Sequence, residues 1–172
     1  DFGAATASNG AVGLYHIENL TPEAKEQGEA LIKEGAQVYV IDDAELQRVQ
    51  DSYPVVWKDI NAKPQLCFVG CPHMTFKQLS DWTLAVEKGL AETGLKKVAI
   101  PTVFTAPSAV IKAFEKTELY PKLKAMGIVV SAICPLMYMN NPLVKKKAVI
   151  TSSNKLRTYT TARYYTEAQI LD

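Results

Sequence analysis

A thiol and an imidazole two residues apart form the densest chemistry of this chain, in Gln65-Leu66-Cys67-Phe68-Val69-Gly70-Cys71-Pro72-His73-Met74-Thr75. Leu66 to Val69 is an apolar run that reads as a buried strand. Gly70 ends it, and Thr75 opens a helix. Cys71 and His73 are thereby expected where a parallel α/β sheet presents its ligands, at the carboxyl end of a strand facing a helix N-terminus. Cys134, followed by Pro135, has a very similar setting. Two Cys-Pro corners at two strand ends point to one shared site. Thiolates suit zinc or an iron–sulfur cluster. Thr151-Ser152-Ser153-Asn154-Lys155 adds hydroxyls, helix-start N–H groups and an ammonium, which suit a carboxylate or phosphate.

Plainer roles stand beside these. Cys67 alternates with core positions in its strand and reads as a small buried hydrophobe. It shares a strand face with Cys71, but the two lie about 13 Å apart along an extended chain and should not ligate one ion. His73 could be a helix cap or a satisfied polar group. His16 ends an apolar run and reads as structural. Lys145-Lys146-Lys147 reads as a solvated turn, and Tyr159, Tyr164 and Tyr165 as packing residues.

The elements that must position these residues follow from local signals. Strands are expected over 11–17, 37–41, 65–69, 97–101, 128–133 and 147–150. Thr102 and Thr105 would then follow a strand. Thr21-Pro22-Glu23 starts a helix running to about Lys33. Asp42 or Asp43 caps a helix through Gln50. Thr75-Phe76-Lys77-Gln78 has capping-box spacing and starts a helix that ends at Gly94. Further helices are expected over 107–116, 120–125 (closed by Gly127) and 154–165. Strands alternating with helices imply parallel crossovers, hence a three-layer α/β/α sandwich with a mostly parallel sheet of five or six strands. No internal repeat or linker is visible, so one domain over 1–172 is the simplest account.

Composition bounds the function. The net charge of +1 over 172 residues leaves no electrostatic footprint for nucleic acid or an anionic membrane. No apolar run approaches the ~18 residues of a membrane span, and no signal-peptide pattern is present. Three cysteines are too few for a disulfide scaffold, so a reducing, cytoplasmic setting is expected. The chain opens at Asp1 without Met and is expected to be a domain excised from a longer protein.

Taken together, four segments resemble the aconitase X family: Ala4 to Ala24, Gly70-Cys71-Pro72-His73-Met74-Thr75, the Cys134-Pro135 corner, and Thr151-Ser152-Ser153-Asn154-Lys155. Their order and spacing agree over essentially the whole chain, and the Gly-Cys-Pro-His segment is the most specific. The resemblance implies a dehydratase related to classical aconitases, built from a large part with α/β/α domains and a small swivelling domain or subunit. It implies an iron–sulfur cluster held by Cys71 and Cys134, with a third cysteine upstream of this segment. It also implies a substrate-side motif at Ser153 and Lys155, and activities such as dehydration of mevalonate 5-phosphate or cis-3-hydroxy-L-proline. Cys67 matches no family ligand. Two features depart from the family pattern and bear on substrate identity. Ala132 and Ile133 stand where an Asp-Thr pair is usual before the second cysteine, and Ser152 stands where Asn is usual.

The reading that follows is a hydro-lyase fragment with the cluster as Lewis acid. Lys155, Ser152, Ser153 and Thr151 would hold an anion, and His73, Ser153 and Lys155 would be the catalytic candidates, His73 moving a proton. The expected partners are the small domain, the N-terminal remainder of the catalytic chain and a small-molecule substrate. Alone, the fragment should be inactive and cluster-free. Two readings compete. One is a metal-free module that binds a small anion at the same crevice. The other is a thiol enzyme in which Cys71 is activated by the helix N-terminus and His73.

Overall fold

The computed structural model describes residues 2–172, with only the backbone of Asn9. The helices are α1 (Phe2–Gly10), α2 (Pro22–Gln27), α3 (Asp43–Asp51), α4 (Phe76–Thr93), α5 (Ser108–Phe114), α6 (Leu119–Ala125), α7 (Pro135–Met139), α8 (Asn154–Tyr159) and α9 (Glu167–Leu171). The strands are β1 (Leu66–Val69), β2 (Thr102–Thr105), β3 (Ile128–Ser131), β4 (Val149–Thr151) and β5 (Arg163–Tyr164). Packing divides the chain into two compact units, Thr6–Tyr53 and Pro54–Asp172 with residues 2–5. The sequence had offered one domain. The division has a plain cause: residues 6–53 contribute no strand to the sheet, and among the described side chains there only Ala24 is buried.

The larger unit carries one parallel sheet in the order β3-β2-β1-β4-β5. Side chains alternate across it, as the pleat requires. Cys67, Val69, Phe104 and Ile150 face one apolar cluster, with Leu79, Trp82 and Val86 of α4, Phe114 of α5 and Leu123 of α6. Leu66, Phe68, Val103 and Val149 face the other, with Met139 of α7 and Leu156 of α8. Helices on both faces of a five-stranded parallel sheet make the three-layer sandwich expected from the alternation of elements.

Local chemistry explains the helix that matters most for the site. Thr75 accepts from Gln78 N–H while the Gln78 side chain returns to Thr75 N–H, closing the capping box read in the sequence. Leu79, Trp82, Thr83 and Val86 repeat at the spacing of one helix face and are all buried. Gly94, at φ +72°, ends the helix in the left-handed region.

Several expected boundaries move. Residues 97–101 form no strand. The strand is Thr102–Thr105, and Pro101, which lacks an N–H, precedes it and offers its carbonyl to Cys67 N–H at 2.9 Å. Thr102 and Thr105 are therefore inside β2, and Thr151 is inside β4. The expected helix over 154–165 stops at Tyr159 and is followed by β5, whose Tyr164 pairs with Thr151.

In the smaller unit, 11–17 and 37–41 are β-rich in sequence but form no strand. Val38, Tyr39, Val40 and Ile41 are exposed and have no strand to pair with. His16 ends no strand, and its Nδ1 lies 3.9 Å from Glu23. The helix from Pro22 ends at Gln27 and continues as a single 3-10 turn, Gly28–Leu31. Asp42 caps α3 by accepting from Glu45 N–H. Hydrogen bonds from Arg48 and Tyr39 hold the Glu45 carboxyl down to about 2.

Phe104 joins the sheet to α4, 1% exposed and edge-on to Trp82 at 5.8 Å between ring centroids. Phe104→Ala is expected to lower unfolding free energy by about 3–5 kcal/mol. Chemical denaturation should show a lower midpoint with an unchanged slope.

Candidate functional site

The carboxyl ends of β1, β2, β3 and β4 lie on one edge of the parallel sheet. From β1 the chain winds outward through β2 and β3, then returns to place β4 on the other side of β1. The strand order thus reverses between β1 and β4, the position at which open α/β sheets form a ligand crevice. Cys71 follows β1, and Ser152 to Lys155 follow β4, so the two richest motifs of the sequence flank this reversal.

Thr105 holds the Cys71 loop from β2. Its Oγ1 donates to the Gly70 carbonyl at 2.5 Å, and its carbonyl accepts from Met74 N–H at 2.9 Å. The approach leaves no room at Gly70. A Cβ there would stand 2.5 Å from the Thr105 carbonyl oxygen and 2.6 Å from Oγ1, and Gly70 sits at φ +111°, which side chains disfavour. The Cys71–Pro72 peptide is cis.

Ser153 holds the same loop from β4. Its Oγ donates to the Cys71 carbonyl and accepts from Leu156 N–H at 3.0 Å, capping α8. Its own N–H goes to Thr151 Oγ1 at 3.1 Å. Thr151 is fully buried and Ser153 nearly so. The hydroxyls of these two residues are thus spent on the protein itself. Ser152 and Lys155 are half-buried.

The second cysteine corner follows β3. Cys134 is exposed and precedes α7, with Pro135 in the first helical turn. Ser131 Oγ accepts from Ile133 N–H at 3.2 Å, and the Ile133 carbonyl lies 3.1 Å from His73 Nε2. A carbonyl only accepts, so Nε2 carries a proton in this bond. This bond joins the two Cys-Pro corners directly.

The three cysteines are all free and differ in kind. Burial pushes the Cys67 thiol up to about 12, in keeping with a core residue. Burial also pushes the Cys71 thiol above its ordinary value. The Ser153 hydrogen bond and the Lys155 ammonium oppose that shift, and a negative charge on Cys134 adds to it. Cys71 therefore lies in electrostatic reach of both Lys155 and Cys134. A thiol raised by burial holds little thiolate at neutral pH, the opposite of what an activated thiol catalyst needs.

A small cavity of about 50 Å³ adjoins Cys71 and is lined by Gly70, Pro72, Ser152, Ser153, Gln78 and Glu167, among others. Sequence reasoning singled out neither Gln78 nor Glu167 as a site residue. Gln78 closes the capping box of Thr75, which was the available signal for it, while Glu167 only opens the helix that Thr166 and Gln169 cap. Sequence reasoning also placed Thr105 beyond the strand, and so missed its grip on Gly70. Among the described residues no group of three or more His, Cys, Asp or Glu side chains gathers as a metal site. What the edge offers is a pair of thiols, soft donors of the kind iron–sulfur clusters use. No helix among the described residues is long and apolar enough to cross a membrane.

Comparison with known proteins agrees with this geometry. The family models for the aconitase X second and third domains match residues 1–51 and 64–171, so the boundary falls where the packing divides. The phosphomevalonate dehydratase large subunit of Thermococcus kodakarensis is 30% identical over 110 residues, 64% of this chain and 25% of that protein. The one from Methanocaldococcus jannaschii is 28% identical over 159 residues, 91% of this chain and 36% of that protein. The chain thus spans about a quarter to a third of these relatives' length. A crystal structure of Thermococcus kodakaraensis aconitase X in its holo-form superposes with a TM-score of 0.77 at 22% identity, covering 98% of this chain and 42% of that one.

Two outcomes follow from the site geometry. Gly70→Ala is expected to leave the protein largely insoluble or unfolded, whereas Thr105→Val, which removes the Oγ1 contacts to the Gly70 and Val69 carbonyls, should cost about 1–3 kcal/mol in chemical denaturation. In timed alkylation read by peptide mass spectrometry, exposed Cys134 should react first, then Cys71, with Cys67 modified last. Because its pKa is raised, Cys71 should keep gaining rate as pH climbs past the ordinary thiol range, where a normal thiol levels off.

Proposed function

The chain belongs to the aconitase X family, and on that premise we propose that it supplies the cysteine-bearing edge of a hydro-lyase that dehydrates a small hydroxy acid. The observation that carries this reading is the His73–Ile133 bond, which couples the corner of Cys71 to that of Cys134, with Lys155 in electrostatic reach of Cys71. Relatives named phosphomevalonate dehydratase make a phosphorylated hydroxy acid the favoured substrate. A cyclic hydroxy acid such as cis-3-hydroxy-L-proline is the second choice.

Cys71 and Cys134 would hold an iron–sulfur cluster. Their donor type fits, and at two thiols the set is completed from outside residues 1–172. When bound, such a cluster supplies a Lewis acid for the departing hydroxyl. The residues of this chain have distinct duties around it. Lys155, with Ser152, would bind the substrate's carboxylate or phosphate. Ser153 holds the Cys71 carbonyl and caps α8, and Thr151 accepts from Ser153 N–H, so both act first by positioning this motif. Burial of Cys71 keeps bulk water from its side of the crevice.

The partners are a small swivelling domain or subunit and the rest of the catalytic chain. Without them the 172-residue chain should be inactive. Free thiols with no disulfide suit a reducing, cytoplasmic enzyme.

The test uses the complete enzyme with its small domain, purified without oxygen. Iron and sulfide content and dehydration of mevalonate 5-phosphate are measured for wild type, Cys71→Ser and Cys134→Ser. Either variant should lose the cluster, and activity should fall by more than the roughly 10–100-fold that loss of an outer-shell partner costs. An iron-free wild type after reconstitution would overturn the cluster reading and favour a metal-free anion-binding module.

A further inference from the structure

His73 lies between the two cysteine corners, and its ring has one committed nitrogen. Nε2 is 3.1 Å from the carbonyl of Ile133, the residue immediately before Cys134, and the ring itself is two residues after Cys71. Apart from this bond, the Cys134 corner is held by Ser131 Oγ on Ile133 N–H and by Tyr138 N–H on the Cys134 carbonyl, and its base by Ala106 N–H on the Ser131 carbonyl. The Cys71 corner, by contrast, is clamped by side chains of Thr105 in β2 and Ser153 just beyond β4. The settings are unequal: one thiol sits buried on its loop, the other exposed.

We propose that His73 is a positioning residue, an Nε2–H donor that ties the loop of Cys134 to the loop of Cys71 and so sets the separation of the two thiols. This deepens the cluster reading and rests on it for its purpose, but the tie itself does not depend on a bound cluster. A proton-shuttling role at Nε2 is incompatible with it, because that proton is held by a backbone carbonyl that cannot return one.

The side-chain amide nitrogen of Gln can stand where Nε2 stands, and the shorter Asn cannot reach it. His73→Gln, His73→Asn and His73→Ala are therefore compared in the complete enzyme. Hydrogen exchange of the peptide spanning 131–136 is followed in the iron-free protein, and cluster content and turnover in the reconstituted one. Exchange in that peptide should quicken about threefold to tenfold in the Asn and Ala variants, as loss of one net hydrogen bond gives. It should return to the wild-type rate in the Gln variant, which should also recover cluster content and turnover. Wild-type exchange in the Asn and Ala variants would overturn the tie. A Gln variant that keeps its exchange protection and cluster yet loses turnover like the Ala variant would overturn a purely positioning role and restore the imidazole to acid–base chemistry. If wild type itself takes up no cluster, the cluster reading fails while the exchange comparison still decides the tie.

Discussion

Between Gly70 and Thr105 there is no space for a methyl group, and much of the site depends on that contact. Because Gly70 has no Cβ and can adopt φ +111°, the chain turns off β1 directly against the end of β2. Thr105 then binds the loop on both sides, through Gly70 O and Met74 N–H, and delivers the chain to the N-terminus of α4. Cys71 is left at the strand-order reversal, facing the start of α8. A side chain at position 70 would push the loop away from β2 and move the thiol with it.

The parallel sheet turns this local constraint into a shared site. With parallel strands ending on one edge, residues sixty or more positions apart in sequence come together with no long loop. Ser153 reaches Cys71 from β4, and His73 reaches Ile133 beyond β3. These are polar bonds made by residues that sequence reasoning reads as chemical. In the folded chain Ser153 and Thr151 serve first as structure, which leaves Lys155 and Ser152 the side chains of that motif best placed to meet a substrate. The same economy governs the thiols. Burial makes Cys67 part of the core, and leaves Cys71 with little thiolate at neutral pH but well fixed as a donor.

Much of this was legible because its signals are local. The apolar run before Gly70 and the capping box at Thr75 and Gln78 each depend on a few adjacent residues, and each stands as read, whereas the five-residue helix that begins at Pro135 was not expected. Features that depend on pairing were not legible. Residues 11–17 and 37–41 have the composition of strands, but a strand exists only beside a partner, and none is present. The two-residue β5 has too little pattern to announce itself. It was absorbed into an expected helix, although Tyr164 pairs with Thr151. Pro101 drew the boundary of β2 to the wrong side, and with it hid Thr105, whose role exists only through contact with Gly70. The division into two units was equally hidden, because it reflects burial in place of any linker-like composition.

The central claim is that Cys71 and Cys134 serve one site, and it can be tested with a thiophilic ion without recourse to iron. Cadmium titrated into the iron-free enzyme, followed by thiolate-to-metal absorbance, should saturate at one ion per chain through both thiols. Cys71→Ser and Cys134→Ser should each weaken that binding, and Cys67→Ala should leave it intact. Two independent weak sites, each indifferent to loss of the other cysteine, would contradict the account.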